Sequence, residues 1–248
     1  MNISLAHISV ILVEPQSPGN IGMVCRAMAN FGCKDLRLVN PCLHLHPEAR
    51  KFAVAANHLL GEARLFPSLT AAIDDLTLSV ATTRRPGRLR GDLLDISKVP
   101  TLQQKLPPEG RLGLIFGRED SGLTSDEVAL CSHAASVETS LELGSLNLAQ
   151  AVILFLYELS RTPKTSSSTI MAPTPRQGEM EELFGQVESI LTRIAFLNPA
   201  RPEAVMNRIR QLMHRAAPSQ DDLSLLRGLC SQLSWSLRDW KGRKRGSS

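Results

Sequence analysis

Short apolar, β-branched runs that stop at Pro, Gly or Asn and hand over to segments of helical spacing recur through the first 160 residues. This alternation constrains the fold more than any other feature. Residues 7–13 read as a first strand, closed by Glu14-Pro15. After the turn formers Ser17-Pro18-Gly19-Asn20, apolar Ile21, Val24, Met28 and Phe31 recur at helical spacing. Further strands are expected at residues 36–39, 76–81, 112–116 and 135–137, and helices at 47–57, 68–74 and 146–161. Thr124 and Glu127 stand at the N-cap and N3 spacing of a capping box, so another helix starts there. Strands alternating with helices build an α/β fold, a mostly parallel sheet covered on both faces.

Beyond residue 161 the pattern changes. Residues 162–178 are rich in Ser, Thr and Pro and read as a flexible linker between a first domain, 1–161, and a helical extension, 179–241. Three helices are expected in the extension, at 179–196, 202–214 and 221–240, with Pro202 in a first turn and Ser219 as a cap. Leu223, Leu226, Cys230, Leu233, Leu237 and Trp240 form a stripe on the last of them, which requires partner helices. Residues 242–248 make a basic tail.

The net charge of +4 is unevenly placed. From Arg176 onward there are twelve Lys or Arg against eight Asp or Glu, whereas residues 1–163 carry fifteen against sixteen. A second local cluster is Arg84, Arg85, Arg88 and Arg90. Clustered guanidinium groups suit phosphate, with a solvated surface as the alternative. The longest apolar run, residues 151–157, is far shorter than the roughly 18 to 20 residues of a membrane span. With no signal-like start, a cytoplasmic protein is expected. Five cysteines without a C-x-x-C pair, and histidines without ligand spacing, point to reduced thiols and no metal site. Cys25 is read as small buried filler rather than a reactive thiol.

Three polar segments fall where strands should end: Gly19-Asn20-Ile21-Gly22-Met23-Val24-Cys25-Arg26, Gly117-Arg118-Glu119-Asp120-Ser121-Gly122-Leu123, and Gly144-Ser145-Leu146-Asn147-Leu148-Ala149-Gln150-Ala151. Ligands of open α/β sheets bind beyond the carboxyl ends of the strands, so these segments are expected to converge on one site. Gly19 and Gly22 allow close approach at a helix start, Arg26 can reach what is held there, and Glu119 can orient a basic group. The spacing is not that of a dinucleotide-binding loop. Arg118 paired with Glu119 in a surface salt bridge remains an alternative, as does Ser145 acting as a simple N-cap. The helix after Asn147 is apolar nearly all round, which suggests burial against a second subunit.

In order and spacing, Asn20-Ile21-Gly22 with Arg26, Gly117-x-Glu119-x-x-Gly122-Leu123, and Ser145-Leu146-Asn147-Leu148 resemble the signature motifs of the SPOUT (TrmH-type) RNA ribose methyltransferases. Val205-Met206-Asn207-Arg208-Ile209-Arg210 and Leu225-Leu226-Arg227-Gly228 resemble the helical extension of the TrmJ branch. The resemblance implies a parallel-sheet SPOUT fold with a trefoil knot, S-adenosylmethionine as cofactor, tRNA as substrate and a homodimer. It implies methylation of the ribose 2'-hydroxyl of cytidine or uridine at position 32 of the anticodon loop. Carried over residue by residue, Thr82, Thr83, Arg84, Gly117, Val137, Ser145, Leu146 and Asn147 would hold the cofactor. Arg26, Glu119, Ser145 and Asn147 would serve catalysis, and Asn20, Arg26, Arg88, Arg90, Arg208, Arg210 and Arg215 would contact RNA. The chain departs from the family at Val137-Glu138, where many relatives carry Ile-Pro. Two other functions are compatible with these residues: ribosomal RNA methylation by the same chemistry, and RNA binding without turnover.

Overall fold

A computed structural model of the chain describes residues 5–84, 93–140, 145–161, 174–198 and 200–239. Its centre is a sheet of seven parallel strands: β1 (Ile8–Val13), β2 (Asp35–Val39), β3 (Arg64–Phe66), β4 (Leu78–Thr82), β5 (Leu93–Asp95), β6 (Leu112–Phe116) and β7 (His133–Ser136). Their spatial order is β3-β2-β1-β6-β4-β7-β5. The chain thus runs outward from β1 to β3, crosses to β4, and later inserts β6 between β1 and β4. Knotting does not follow from this order alone, and residues 141–144, ahead of the third motif, lie outside the described set.

Side-chain alternation splits each strand between two cores. Ile8, Val10 and Leu12 face one cluster, shared with Leu112, Leu114 and Phe116, while Ile11, Val13 and Ile115 face the other. The first cluster is closed by α1 (Pro18–Asn30), α2 (Pro47–Ala53), α3 (Asn57–Gly61), α5 (Val99–Gln103) and α7 (Leu148–Ser160). The second is closed by α4 (Leu69–Ile73) and α6 (Ser125–Leu130). A β-carbon on Gly22 would collide with the backbone of Ala49, so glycine here lets α1 and α2 pack backbone to backbone.

The expected helix at 47–57 is broken. Val54 has φ 52°, and α2 gives way there to a short 3-10 turn before α3. The last helix of the domain also starts later than expected, at Leu148. Asn147, not Ser145, is its N-cap, accepting from the backbone N–H groups of Ala149 at 2.9 Å and Gln150 at 3.4 Å. Ser145 is therefore not the simple N-cap offered as an alternative, and Asn147 takes the capping role.

Helices α8 (Gln177–Arg193), α9 (Pro202–Ala216) and α10 (Gln220–Ser236) enclose a separate core of Met180, Leu183, Phe184, Met206, Leu223 and Cys230. The expected stripe on α10 holds at Leu223 and Cys230, with Leu226 and Leu237 packed partly buried against the same core, but Leu233 is 42% exposed, and Trp240 lies outside the described residues. The bundle docks on its own chain. The N–H groups of Gln177 and Gly178 donate to the carbonyls of Leu76 (2.9 Å) and Asp74 (3.0 Å), which draws α8 two residues into the expected linker. No described helix is long and apolar enough to cross a membrane.

Candidate active site

The carboxyl ends of β1, β6, β4 and β7 lie side by side, and the loops leaving β6, β4 and β7, with the residues ahead of α7, wall a cleft of about 290 Å³. Thr82 lines it at the end of β4 with Thr83 and Arg84 just beyond, Gly117 and Glu119 after β6, Val137 after β7, and Ser145 and Leu146 ahead of α7. Its floor is apolar: Phe116 and Phe155 meet edge to face with centroids 5.7 Å apart. The Thr82 hydroxyl turns inward and donates to the Ile115 carbonyl at 2.9 Å, and the Thr83 N–H donates to Ala135 at 3.0 Å. Both groups stiffen the wall from within. Asn147, expected among the lining residues, does not line the cleft.

Residues 117–122 close on themselves. The Gly122 N–H donates to the Arg118 carbonyl at 2.9 Å, with the reverse bond at 3.3 Å. Gly122 has φ 71°, and a β-carbon on Gly117 would collide with the backbone of Gly122 and Leu123, so both glycines are required by the turn. Arg118 pairs with Glu14 at 2.8 Å and, with both terminal nitrogens, Glu127 at 3.0 Å; it does not pair with Glu119. These carboxylates raise the guanidinium pKa above its ordinary value, and Arg118 in turn lowers that of Glu127 against the opposing effect of burial.

Glu119 is thereby free for the first motif. It accepts from the N–H groups of Gln16 (2.8 Å) and Ser17 (3.1 Å) and from Asn20 Nδ2 (2.9 Å). Asn20 Oδ1 in turn accepts from Asn147 Nδ2 at 2.9 Å, and Asn147 Oδ1 caps α7. Every polarity in this relay is determined by its ends. A carboxylate can only accept and a helix N-terminus can only donate, so each amide has one orientation that satisfies both neighbours. Glu119, Asn20 and Asn147 therefore join the three motifs through side chains 99 and 127 residues apart in sequence.

The relay changes the expected role of Asn20. Expected to contact RNA, it is instead buried, with its amide held between Glu119 and Asn147. Arg26 is exposed on α1, outside the cleft lining, and among the described residues it has no hydrogen bond or ion pair. Arg208 and Arg215 are exposed on α9. Arg210, expected to contact RNA with them, is instead taken up inside the bundle. It pairs with Glu181 at 2.9 Å and lies over the Phe184 ring. Arg88 and Arg90 lie outside the described residues.

Cys25 is fully buried on α1, and burial pushes its thiol up to about 12. Alkylation with iodoacetamide at pH 7.5 is expected to spare Cys25 in the folded protein while modifying it in urea, as peptide mapping would show. Among the described residues, no group of three His, Cys, Asp or Glu side chains is placed to hold a metal ion.

What spacing does not reveal is the clamp around Arg118. Glu14 lies 104 residues away and has no motif of its own; only the Thr124/Glu127 capping box marks one partner as fixed.

Comparison with known proteins agrees with this geometry. Residues 7–157 match the SpoU rRNA Methylase family, and residues 178–244 match the C-terminal domain of the tRNA methyltransferase TrmJ. The tRNA (cytidine/uridine-2'-O-)-methyltransferase TrmJ of Photorhabdus laumondii is 33% identical over 234 residues, 92% of this chain and 97% of that protein. The TrmJ of Cronobacter sakazakii is 32% identical over 92% of this chain and 96% of its own length. The crystal structure of TrmJ from Z. mobilis superposes with a TM-score of 0.81 at 34% identity, covering 91% of this chain and 98% of that one. With both regions matched and the seven-stranded fold shared, the chain belongs to the SpoU methylase family and, within it, to the TrmJ branch.

Proposed function

We propose that this protein uses S-adenosylmethionine to methylate the 2'-hydroxyl of cytidine or uridine at position 32 of tRNA, and that it works as a homodimer. The observation that carries this reading is the relay of Glu119, Asn20 and Asn147, which ties the first motif to the two segments that wall the cleft at the strand ends. The TrmJ relatives carry the substrate class, and resemblance to their branch carries the position.

The cleft fits the cofactor. It combines an apolar floor at Phe116 and Phe155, suited to a nucleobase, with polar loops at Thr83, Gly117 and Ser145. When bound there, S-adenosylmethionine supplies an electrophilic methyl group. The residues at Thr82, Thr83, Arg84, Gly117, Val137, Ser145 and Leu146 would hold it, largely through main-chain groups. Asn147 acts one step back, and Glu119, which lines the cleft, also positions the first motif.

The ribose hydroxyl is weakly acidic and must shed its proton as its oxygen takes the methyl group. Arg26 stabilises the charge that develops on that oxygen and pairs with a neighbouring phosphate. Its contribution is electrostatic. Arg208 and Arg215 on α9 hold the tRNA backbone.

The outer face of α7 supports the homodimer. Ile153, Leu154 and Tyr157 are 39%, 36% and 50% exposed, while the opposite face is buried in the chain's own core.

The test is methylation of a panel of tRNA transcripts, with the product mapped by mass spectrometry. A 2'-O-methyl group at position 32 is expected, with tRNA affinity falling steeply as salt rises. A methyl group on a base atom would sink the ribose assignment.

A further inference from the structure

We propose that Arg118 is a positioning residue through which the docked helical extension and the cofactor cleft are thermodynamically linked. The proposal rests on reading the cleft as the cofactor site. Arg118 is only 17% exposed and joins three pieces of structure at once. Its Nε donates to Glu14 at the end of β1, its Nη1 to the Gly122 carbonyl at 3.3 Å, and both terminal nitrogens to Glu127 on α6. The wall residues 117–122 are thus tied to α6 by a bidentate pair, and Glu119, the next residue, holds the first motif.

Helix α6 is gripped from its other side by the extension. It packs on α9, and the buried Asn207 donates from Nδ2 to Asp126, the neighbour of Glu127, at 3.5 Å. Asn207 faces inward while the adjacent Arg208 is exposed, so the helix assigned to tRNA also carries the residue that touches α6. Helix α9 cannot adjust independently of the bundle, because Arg210 pairs with Glu181 on α8, and α8 is pinned to Asp74 and Leu76. A displacement of α9 is therefore passed to Asp126 and Glu127, then to Arg118 and the cleft wall. Linkage of this kind is reciprocal, so occupancy of the cleft also biases the extension.

The experiment measures S-adenosylhomocysteine binding by calorimetry on full-length protein, alongside KM and kcat. Arg118→Ala is expected to weaken binding about tenfold or more and to raise KM for S-adenosylmethionine, with kcat at saturation changing far less. Arg118→Lys should recover little of this, because an ammonium keeps the charge but not the fork. Asn207→Ala should weaken binding about threefold, and the double variant should lose less than the product of the two single losses. Thermal unfolding of each variant separates these effects from loss of fold, and Asn207→Ala supplies the test should Arg118→Ala not fold. Wild-type affinity in Arg118→Ala, or full recovery by Arg118→Lys, overturns the positioning role. Additive losses overturn the linkage. Absence of binding by the wild-type protein overturns the cleft reading beneath both.

Discussion

Replacing Arg26 with alanine is expected to lower turnover about 10²- to 10³-fold, the usual cost of removing a preorganised group that stabilises developing charge. Affinity for S-adenosylhomocysteine and the unfolding temperature should stay at wild-type values. Arg26 is exposed on α1, lines no part of the cleft, and among the described residues pairs with nothing. Exposed positions of that kind change stability by about 0.5 kcal/mol or less. The combination distinguishes a catalytic residue from a structural one, because turnover falls while fold and cofactor affinity do not. Single-turnover methylation of tRNA at saturating cofactor is the measurement, and a normal rate in Arg26→Ala would remove Arg26 from the mechanism. Glu119→Gln should behave differently. Its amide nitrogen meets other donors at Gln16, Ser17 and Asn20, so the first motif loses its anchor and KM for tRNA changes as well.

The contrast between Arg26 and Glu119 also marks where the sequence is legible. Strand Leu112–Phe116 and the capping box at Thr124 and Glu127 are readable because their signals are local, in alternation or in fixed spacing. Strands Arg64–Phe66 and Leu93–Asp95 escape notice, since three residues are too few for any period to register. The convergence of the three motifs follows from the placement of ligands at parallel strand ends. Their division of labour does not, because the relay depends on amide orientations set by partners about a hundred residues away. Arg210 shows the same limit from the other side. Its position in a basic stretch suggests phosphate, but only the packed bundle brings Glu181 and Phe184 against it.

The second large effect belongs to the opposite end of the sheet. Arg37 is wholly buried on β2, held by Asp35 at 2.9 Å, by Asp75 and by the Ala72 carbonyl. Asp35 is the hub, accepting also from Ser9, Arg64 and Arg111. Burial alone would raise its pKa, but the bonds from Ser9, Arg37 and Arg64 reverse that and hold the carboxyl well below the usual range. Asp35→Asn leaves Arg37 with one carboxylate and turns an amide N–H toward donors, so the expected loss is about 3–5 kcal/mol in urea unfolding at pH 7. The carboxylate is favoured in the folded state, so its stabilisation is complete above the unfolded pKa of about 4 and disappears as pH falls through the lower folded value. The wild-type advantage should therefore shrink as the protein is titrated below about pH 4. Because this cluster sits at the amino ends of the strands, away from the cleft, Asp35→Asn that remains folded at low temperature should methylate at nearly the wild-type rate. A variant as stable as wild type at pH 7 would mean that the surrounding arginines are solvated well enough without Asp35, and that the buried charge on Arg37 is carried by Asp75 alone.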